Sequence, residues 1–596
     1  MVRKPKPLKG EAKKLPPPLQ DRLTILESQP IVSPANQDKI DPDIDRMEQT
    51  LKQIFQNCSD VVFRRVSIEG EVMGTPPVRE SSDALSAKDV LESIPASAPV
   101  PAGTGFGTPA ATDSDGPPWV TPPEDGRPAP DTRRPRDVLI VYVDGLLDFR
   151  HLDDMVLKPL LFDRPHPGDG ATNPAEWLQL HAVPVGETRV VDTLSRAIQS
   201  ILAGEAGLFV EGSDRALIAS IRGWEKRSIQ EPNTEQVIRG PREGFVETLR
   251  VNTSLVRRKI RTPKLKVEAL NLGTLTNTDV VILYIDGVVD NQVLEEVRQR
   301  VRDIQIDGIL ETGYIEEFIE DCWWSPFPTL MDTERPDVVA AQLLEGRVAI
   351  LVDGTPYALV APMTFWMGLQ ANEDYYARSM IATAIRWLRL CFGFIALFLP
   401  SFYVALVSFQ QEMVPTTFLL NVAASQEATP FPAVVEAFLM EFMFETLREA
   451  GVRLPKAVGS AISIVGALVI GQAAVQAGIV SAPMVIVVAT TGIASFTIPR
   501  FSIGIAIRLL RFPLLFLAGT LGFFGITVGL IAILIHLSML RSFGVPYFEP
   551  LAPLNGWHLR DVLIRAPRWA LWKRPQTATD RNRKRLKPGQ KPSPPN

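Results

Sequence analysis

Glu441, Glu445 and Glu449 recur at four-residue steps, with Arg448 three residues after Glu445 and Arg453 four after Glu449. On a helix this spacing puts all five on one face, while Met440, Met443, Phe444 and Leu447 supply an apolar side until Gly451 and Pro455 end it. Ionisable residues at membrane depth are costly and face a bundle interior, a cavity or a partner. Two chemistries fit the ridge. It lines a cation path, as acidic rings do in cation channels, or it is a surface or structurally paired face whose charges are solvated or neutralised. Thr416, Thr417, Asn421, Ser425 and Glu436 extend it upstream as a partial polar path.

The elements that must position this ridge are apolar. The chain has 596 residues, a net charge of -5 and 46% hydrophobic residues, averages that conceal two unlike halves. Nothing membrane-like precedes Trp387; from Ala457 to Pro499 there is no Asp, Glu, Lys or Arg. Runs of about 20 apolar residues span a bilayer as helices, which places spans at about 391–409, 457–478, 481–499 and 512–537. The 413–445 segment is a possible extra span or re-entrant segment. Residues 376–553 are thus predicted to form an α-helical polytopic membrane domain. Arg386, Arg389 and the tail call for the cytoplasmic side, hence an even number of crossings. Four spans would leave Arg453, Lys456, Arg500, Arg508 and Arg511 outside, whereas a crossing by 413–445 with an incomplete last span would bring every cluster inside. Pro400 is a candidate hinge. Gly519, Gly522, Gly525 and Gly529 suit helix packing between subunits, and His536 suits an interfacial anchor. The tail, 554–596, is basic and predicted to be disordered, attracted to anionic membrane lipids rather than to nucleic acid.

The N-terminal half is predicted to be α/β. "RDVLIVYVDGLLD" (136–148) and "TDVVILYIDGVVD" (278–290) echo one another, and "GRVAILVDGTP" (346–356) repeats part of the pattern. Each reads as a buried strand stopped by an Asp-Gly turn. Asp144, Asp286 and Asp353 are turn-capping residues on this reading, because no phosphate loop accompanies them. Two related subdomains follow, at 51–230 and 231–375, after a disordered Pro-rich basic segment at 1–50. The Pro-, Gly- and Ala-rich stretch at about 70–136 is a disordered insertion in the first subdomain, across which Val61–Val66 pairs with Val138–Val143. Cys58, Cys322 and Cys391 have neither metal spacing nor a disulfide pattern, and the start carries no signal peptide, which places this half in the cytosol.

"RGPREGFVETLRVNTSLVRRKIRTPKL" (239–265), "ETGYIEEFIED" (311–321), "TERPDVVAAQLLEGRVAILVDGTPYALVAP" (333–362), "EDYYARSMIATAIRWLR" (373–389) and the segment from Glu441 to Pro483 resemble the A subunit of the bacterial spore germinant receptors, the GerA family. The resemblance runs from about Leu51 to Pro553, and the Pro-rich insertion and basic tail depart from it. It implies a multi-pass protein of the spore inner membrane, with cytosolic N-terminal domain and tail. The implied partners are a transporter-like B subunit that senses nutrient and a lipoprotein C subunit. It further implies a homo-oligomer, pentameric in the family's pattern, that forms a nutrient-gated ion channel triggering germination; a non-conducting scaffold that passes the sensor's state onward is the alternative. No enzyme activity, cofactor or metal is expected.

Overall fold

The structure, a computed structural model, describes residues 38–68, 136–162, 173–181, 183–223, 231–232, 234–453, 471–556, 558–575 and 584–586. Two five-stranded sheets carry the N-terminal half. The first contains β1 (Val61–Ile68), β2 (Arg136–Val143), β3 (Thr188–Val191), β4 (Ala206–Val210) and β5 (Ala216–Ala219) in the order β1-β2-β4-β5-β3. The second contains β6 (Leu265–Leu272), β7 (Thr278–Ile285), β8 (Met331–Thr333), β9 (Val348–Val352) and β10 (Ala358–Ala361) in the order β6-β7-β9-β10-β8. All neighbours are antiparallel. The two orders are the same topology, and the echoed sequences are the second strand of each sheet.

Both faces of each sheet are covered, which explains why the echoed strands are apolar throughout. Val138, Ile140 and Tyr142 enter one core and Leu139, Val141 and Val143 the other; Val280, Ile282 and Tyr284 are likewise divided from Val281, Leu283 and Ile285. Burial on both sides hides the period of two. Each strand stops at Asp-Gly because Gly145 and Gly287 take φ of +81° and +74°, a conformation glycine adopts without penalty. The closing Asp148 and Asp290 then cap the next helix, accepting from Arg150 N at 3.0 Å and Gln292 N at 2.9 Å. The third echo is β9 with its turn; its counterpart is β4 with Glu211-Gly212, a match that composition conceals.

β1 pairs with β2 from Val61↔Val143 to Ile68↔Arg136, so the chain leaves and re-enters the sheet at one point; the predicted insertion between these strands lies outside the described residues. At the N-terminus, the described residues begin at Asp38, before the expected boundary at 51. A helix, Ile44–Ile54, is capped by Asp43 and buries Ile44, Met47 and Leu51. Residues 44–50 lie in the segment expected to be disordered, yet every third or fourth residue of this helix meets the first sheet's core.

The two sheets are joined by a buried ion pair. Arg257, fully buried on the Leu249–Lys259 helix, donates from Nε and Nη2 to Asp60 at 2.9 and 2.8 Å and from Nη1 to the Leu265 carbonyl at 2.9 Å. Asp144 pairs with Arg250 of the same helix, and Asp353 accepts from Leu249 N at 2.9 Å. Two of the three Asp-Gly aspartates therefore clamp this helix between the units.

The C-terminal half is helical: Ser379–Ser408, Thr416–Glu427, Ala433–Arg453, Ala482–Ser495, Phe501–Leu521 and Phe523–Met539. Among the described residues, Ser379–Ser408 and Phe501–Leu521 are long and apolar enough to cross a membrane; Ala482–Ser495 and Phe523–Met539 are apolar but shorter. The helix bounds differ in detail from the expected spans. The 391–409 segment is the far part of a helix that begins at Ser379 and runs through Pro400 without a break. The 413–445 segment is two helices, parted where Pro430 and Pro432 remove backbone donors. The 512–537 segment is not one helix, because Gly522 turns the chain at φ +60°. Residues 471–476 are helical, but most of the predicted 457–478 span lies outside the described residues.

The four glycines make close contacts within the protomer. A Cβ at Gly525 would lie 2.1 Å from the Leu517 carbonyl, one at Gly529 2.4 Å from Leu514 and one at Gly519 2.3 Å from Val434. The tail is also ordered further than expected. Leu559–Val562 is helical, Asp561 meets Arg386, and buried Arg565 donates to the Tyr375 carbonyl at 3.0 Å. A carboxylate within the basic tail supplies the local counter-charge.

Two stability experiments follow from this architecture. Arg257→Ala leaves Asp60 buried without its partner and is expected to cost about 3–5 kcal/mol, whereas Asp60→Leu with Arg257→Met recovers most of the loss; urea midpoints of the single and double variants decide this. Burial, reinforced by Asp332, Glu320, Glu311 and Glu317, raises the Glu316 carboxyl to about 7. A carboxyl raised on folding favours the fold at low pH, so its contribution is lost as pH rises from the ordinary carboxylate range to about 7. Glu316→Gln should flatten that decline in unfolding midpoint, and an unchanged slope would rule the residue out.

Candidate functional site

The charged ridge lies on the Ala433–Arg453 helix, which runs antiparallel to Phe501–Leu521. Val434 meets Gly519, Glu441 meets Arg511 and Glu445 meets Arg508. Carboxylates four residues apart on one helix thus engage guanidiniums three apart on the other. Arg511 Nη1 donates to Glu441 at 2.5 Å and its Nε to the Ala396 carbonyl at 2.9 Å, tying in the Ser379–Ser408 helix. Arg508 Nη1 donates to Glu445 at 2.7 Å and its Nε to its own helix at Gly504. Glu441 and Arg511 are buried, while the Glu445 side chain is 40% exposed.

The rungs at either end differ. Glu436, fully buried, accepts from Thr429 Oγ1 at 2.6 Å, Ser481 N at 3.1 Å and Ser481 Oγ at 2.8 Å. It therefore satisfies the N-cap residue of the Ala482–Ser495 helix. Arg448 donates to Ser495 Oγ at 3.4 Å and lies 4.8 Å over the Phe496 ring. Glu449 is exposed, and Arg453 is the last described residue of the helix. Sequence spacing thus identified the ridge, but not the partners that neutralise it. Arg508 and Arg511 entered the sequence argument only as topology markers, although Arg at i and i+3 inside "IAIRLLRFPLLFL" is the signal of a paired face.

The central pair is incompletely satisfied. Glu441 Oε1 and Arg511 Nη2 are buried and have no hydrogen-bond partner among the described residues. A half-satisfied polar network in a low-dielectric interior is costly and sensitive to small movements. Thr416, Thr417, Asn421 and Ser425 do not join it. They lie on the Thr416–Glu427 helix, the first three exposed and Ser425 half-buried, with Val422 the buried contact.

The ladder is anchored to the α/β half through its arginine helix. Arg500, the N-cap residue of Phe501–Leu521, pairs with Glu235 and donates to the Asp332 carbonyl at 3.1 Å. Ser502 donates to Asp332 at 3.2 Å, and Thr333 to Glu235 at 2.6 Å. Burial raises the Glu235 carboxyl despite the guanidinium beside it. His536 closes the other side, its Nε2 2.9 Å from Ser325 Oγ and its ring against Trp324. At the base of the first long helix, Arg386 and Arg389 share Asp374. Among the described residues no group of three or more His, Cys, Asp or Glu is placed to hold a metal ion.

Glu441→Gln is expected to lower the unfolding free energy by about 3–5 kcal/mol, as breaking a buried pair does, and Glu445→Gln by about 1 kcal/mol or less, as for exposed pairs. Equal losses in detergent unfolding curves would refute the ladder's gradient.

Residues 129–577 match the family described as Bacillus/Clostridium GerA spore germination protein. The chain is 51% identical to the uncharacterized membrane protein YfkQ of Bacillus subtilis (strain 168) over 438 residues, 74% of this chain and 85% of that one. It is 49% identical to spore germination protein KA of the same organism over 455 residues, 76% and 83% of the two chains. The crystal structure of the N-terminal domain of the A subunit of the Bacillus megaterium spore germinant receptor GerK3 aligns at 29% identity and a TM-score of 0.36, covering 56% of this chain and 99% of that one. The chain belongs to the GerA family of spore germination proteins, among the germinant receptor A subunits.

Proposed function

We propose that this protein is the multi-pass membrane subunit of a spore nutrient germinant receptor, and that copies of it assemble, as a pentamer, into a nutrient-gated ion channel in the spore inner membrane. A transporter-like B subunit and a lipoprotein C subunit are its partners, and the reading gives the chain no catalytic step. Helix directions support it. Ser379–Ser408 and Phe501–Leu521 run parallel away from the α/β half, since Ala396 meets Arg511 and Phe409 meets Gly522. Phe523–Met539 returns, bringing His536 back to Ser325. Arg386, Arg389, Arg500 and Arg541 then share the α/β side, which the positive-inside rule makes cytoplasmic.

The observation that carries the channel reading is the exposed polar face of Thr416, Thr417 and Asn421 in an apolar half of the protein. Polar groups at membrane depth seek a cavity, water or a partner rather than lipid. On this reading the polar helix lines the path, and the ion-pair ladder is its coupling element. A shift of the α/β half, passed through Arg500 and Glu235, displaces the helix that carries Arg508 and Arg511. One observation favours the second reading, a non-conducting signal-transducing scaffold: Glu441 and Glu445 are already paired within the protomer, so they present no bare acidic ring.

Ion flux from liposomes holding the protein with its B and C partners separates the two. Asn421→Leu is expected to reduce nutrient-dependent cation flux several-fold at equal oligomer content, and Glu445→Gln to change its nutrient dependence. Oligomers that form fully and conduct nothing would sink the channel and leave the scaffold.

A further inference from the structure

A cleft of 230 Å³ opens where the second sheet's unit, the base of the first long helix and the tail meet. Its lining is predominantly cationic: Arg347, Arg560, Arg568, Lys573 and Arg585 against Glu345, Glu549 and Asp561. The acidic groups are engaged. Glu345 pairs with Arg347 and Arg585 at 3.0 and 3.1 Å, Asp561 accepts from Tyr375 at 3.0 Å, and Glu549 lies 3.2 Å from His558. A smaller cleft adjoins it, sharing Trp366, Gln370 and Val562, and adds Leu369, Arg386, Trp387, Leu390 and Leu563.

Three residues that line these two clefts each carry a buried side-chain N–H without an acceptor among the described residues: Trp366 Nε1, Arg386 Nη2 and Arg347 Nε. Each belongs to a side chain of a residue more than nine-tenths buried. Buried N–H groups are nearly always paired, and these three belong to residues that line the two adjoining clefts, so the clefts suit an acceptor-rich ligand. Phosphate oxygens supply that chemistry. The neighbouring apolar wall is unsuited to a free ion. Trp387 is half exposed there, directly before the apolar run that begins at Cys391, where interfacial aromatic residues meet headgroups.

We propose that this cleft is a binding site for one anionic phospholipid. The headgroup phosphate lies among Arg347, Arg568 and Lys573, and the first acyl carbons lie along Trp387, Leu390 and Leu563. The lipid joins the tail to the α/β half, because the same cavity is built from both. The proposal rests on the membrane placement above, and a water-soluble lipid tests it whether or not the helices cross a bilayer.

The experiment uses the full chain, delipidated in mild detergent, titrated with dioctanoyl phosphatidylglycerol, dioctanoyl phosphatidylcholine and inorganic phosphate. Native mass spectrometry reads retention and thermal unfolding reads the midpoint. Phosphatidylglycerol should be retained and raise the midpoint, with the other two ineffective. Arg568→Gln, an exposed residue stacked 4.8 Å over Tyr375, and Trp387→Ala should each weaken retention about fivefold, the share expected of one basic or interfacial anchor. The midpoint without lipid shows whether each variant folds, and either variant alone suffices for the comparison. Phosphatidylcholine acting as well as phosphatidylglycerol overturns the headgroup assignment. Inorganic phosphate acting equally, with Trp387→Ala silent, overturns the lipid in favour of a free phosphate.

Discussion

A guanidinium inside an apolar helix bundle is tolerable only beside a carboxylate that shares its burial, and Arg511 has Glu441 at 2.5 Å. That requirement sets much else in the C-terminal half. It brings Ala433–Arg453 against Phe501–Leu521 in one register, in which the second rung, Glu445 to Arg508, also forms. It also recruits the Ser379–Ser408 helix, whose Ala396 carbonyl accepts from Arg511 Nε. Gly519 allows the approach by offering no Cβ to Val434. The ladder is graded, closed at Glu441 and half open at Glu445.

A second buried arginine performs the same office in the other half. Arg257 holds Asp60 across the junction of two sheets that share one strand order. Duplicated units need a fixed relative orientation if movement in one is to reach the other, and the Leu249–Lys259 helix, held by Asp144, Asp60 and Asp353, provides it. The second sheet's core then continues into the helical half through Ala396, Ala494, Ile503 and Leu537. Arg500 and Glu235 pair beside this apolar contact.

The fold was legible where local chemistry decided it. The echoed strands, their Asp-Gly turns and the β1–β2 pairing followed from β-branched runs and from glycine's freedom at positive φ. The β4–β9 correspondence was hidden because the first unit uses Glu-Gly where the second uses Asp-Gly. Helix ends misled wherever a glycine acted by conformation rather than size. Gly522 reads as one of four packing glycines, yet its φ of +60° divides one apolar run into two helices. The tail read as disordered because its many basic residues outweigh Asp561, although that carboxylate meets Arg386.

Spacing alone places Glu441, Glu445 and Arg448 on one helix face, and composition and pattern alone reveal the apolar runs of the C-terminal third, the two related strand units before them and the family the residues resemble. Those properties depend on spacing and composition within a short stretch of chain. Which charges meet was decided only in three dimensions. Glu441 and Arg511 are 70 positions apart, and Arg500 and Glu235 are 265. No local pattern encodes such pairs, because their energies arise from shared burial, a property of the packed fold.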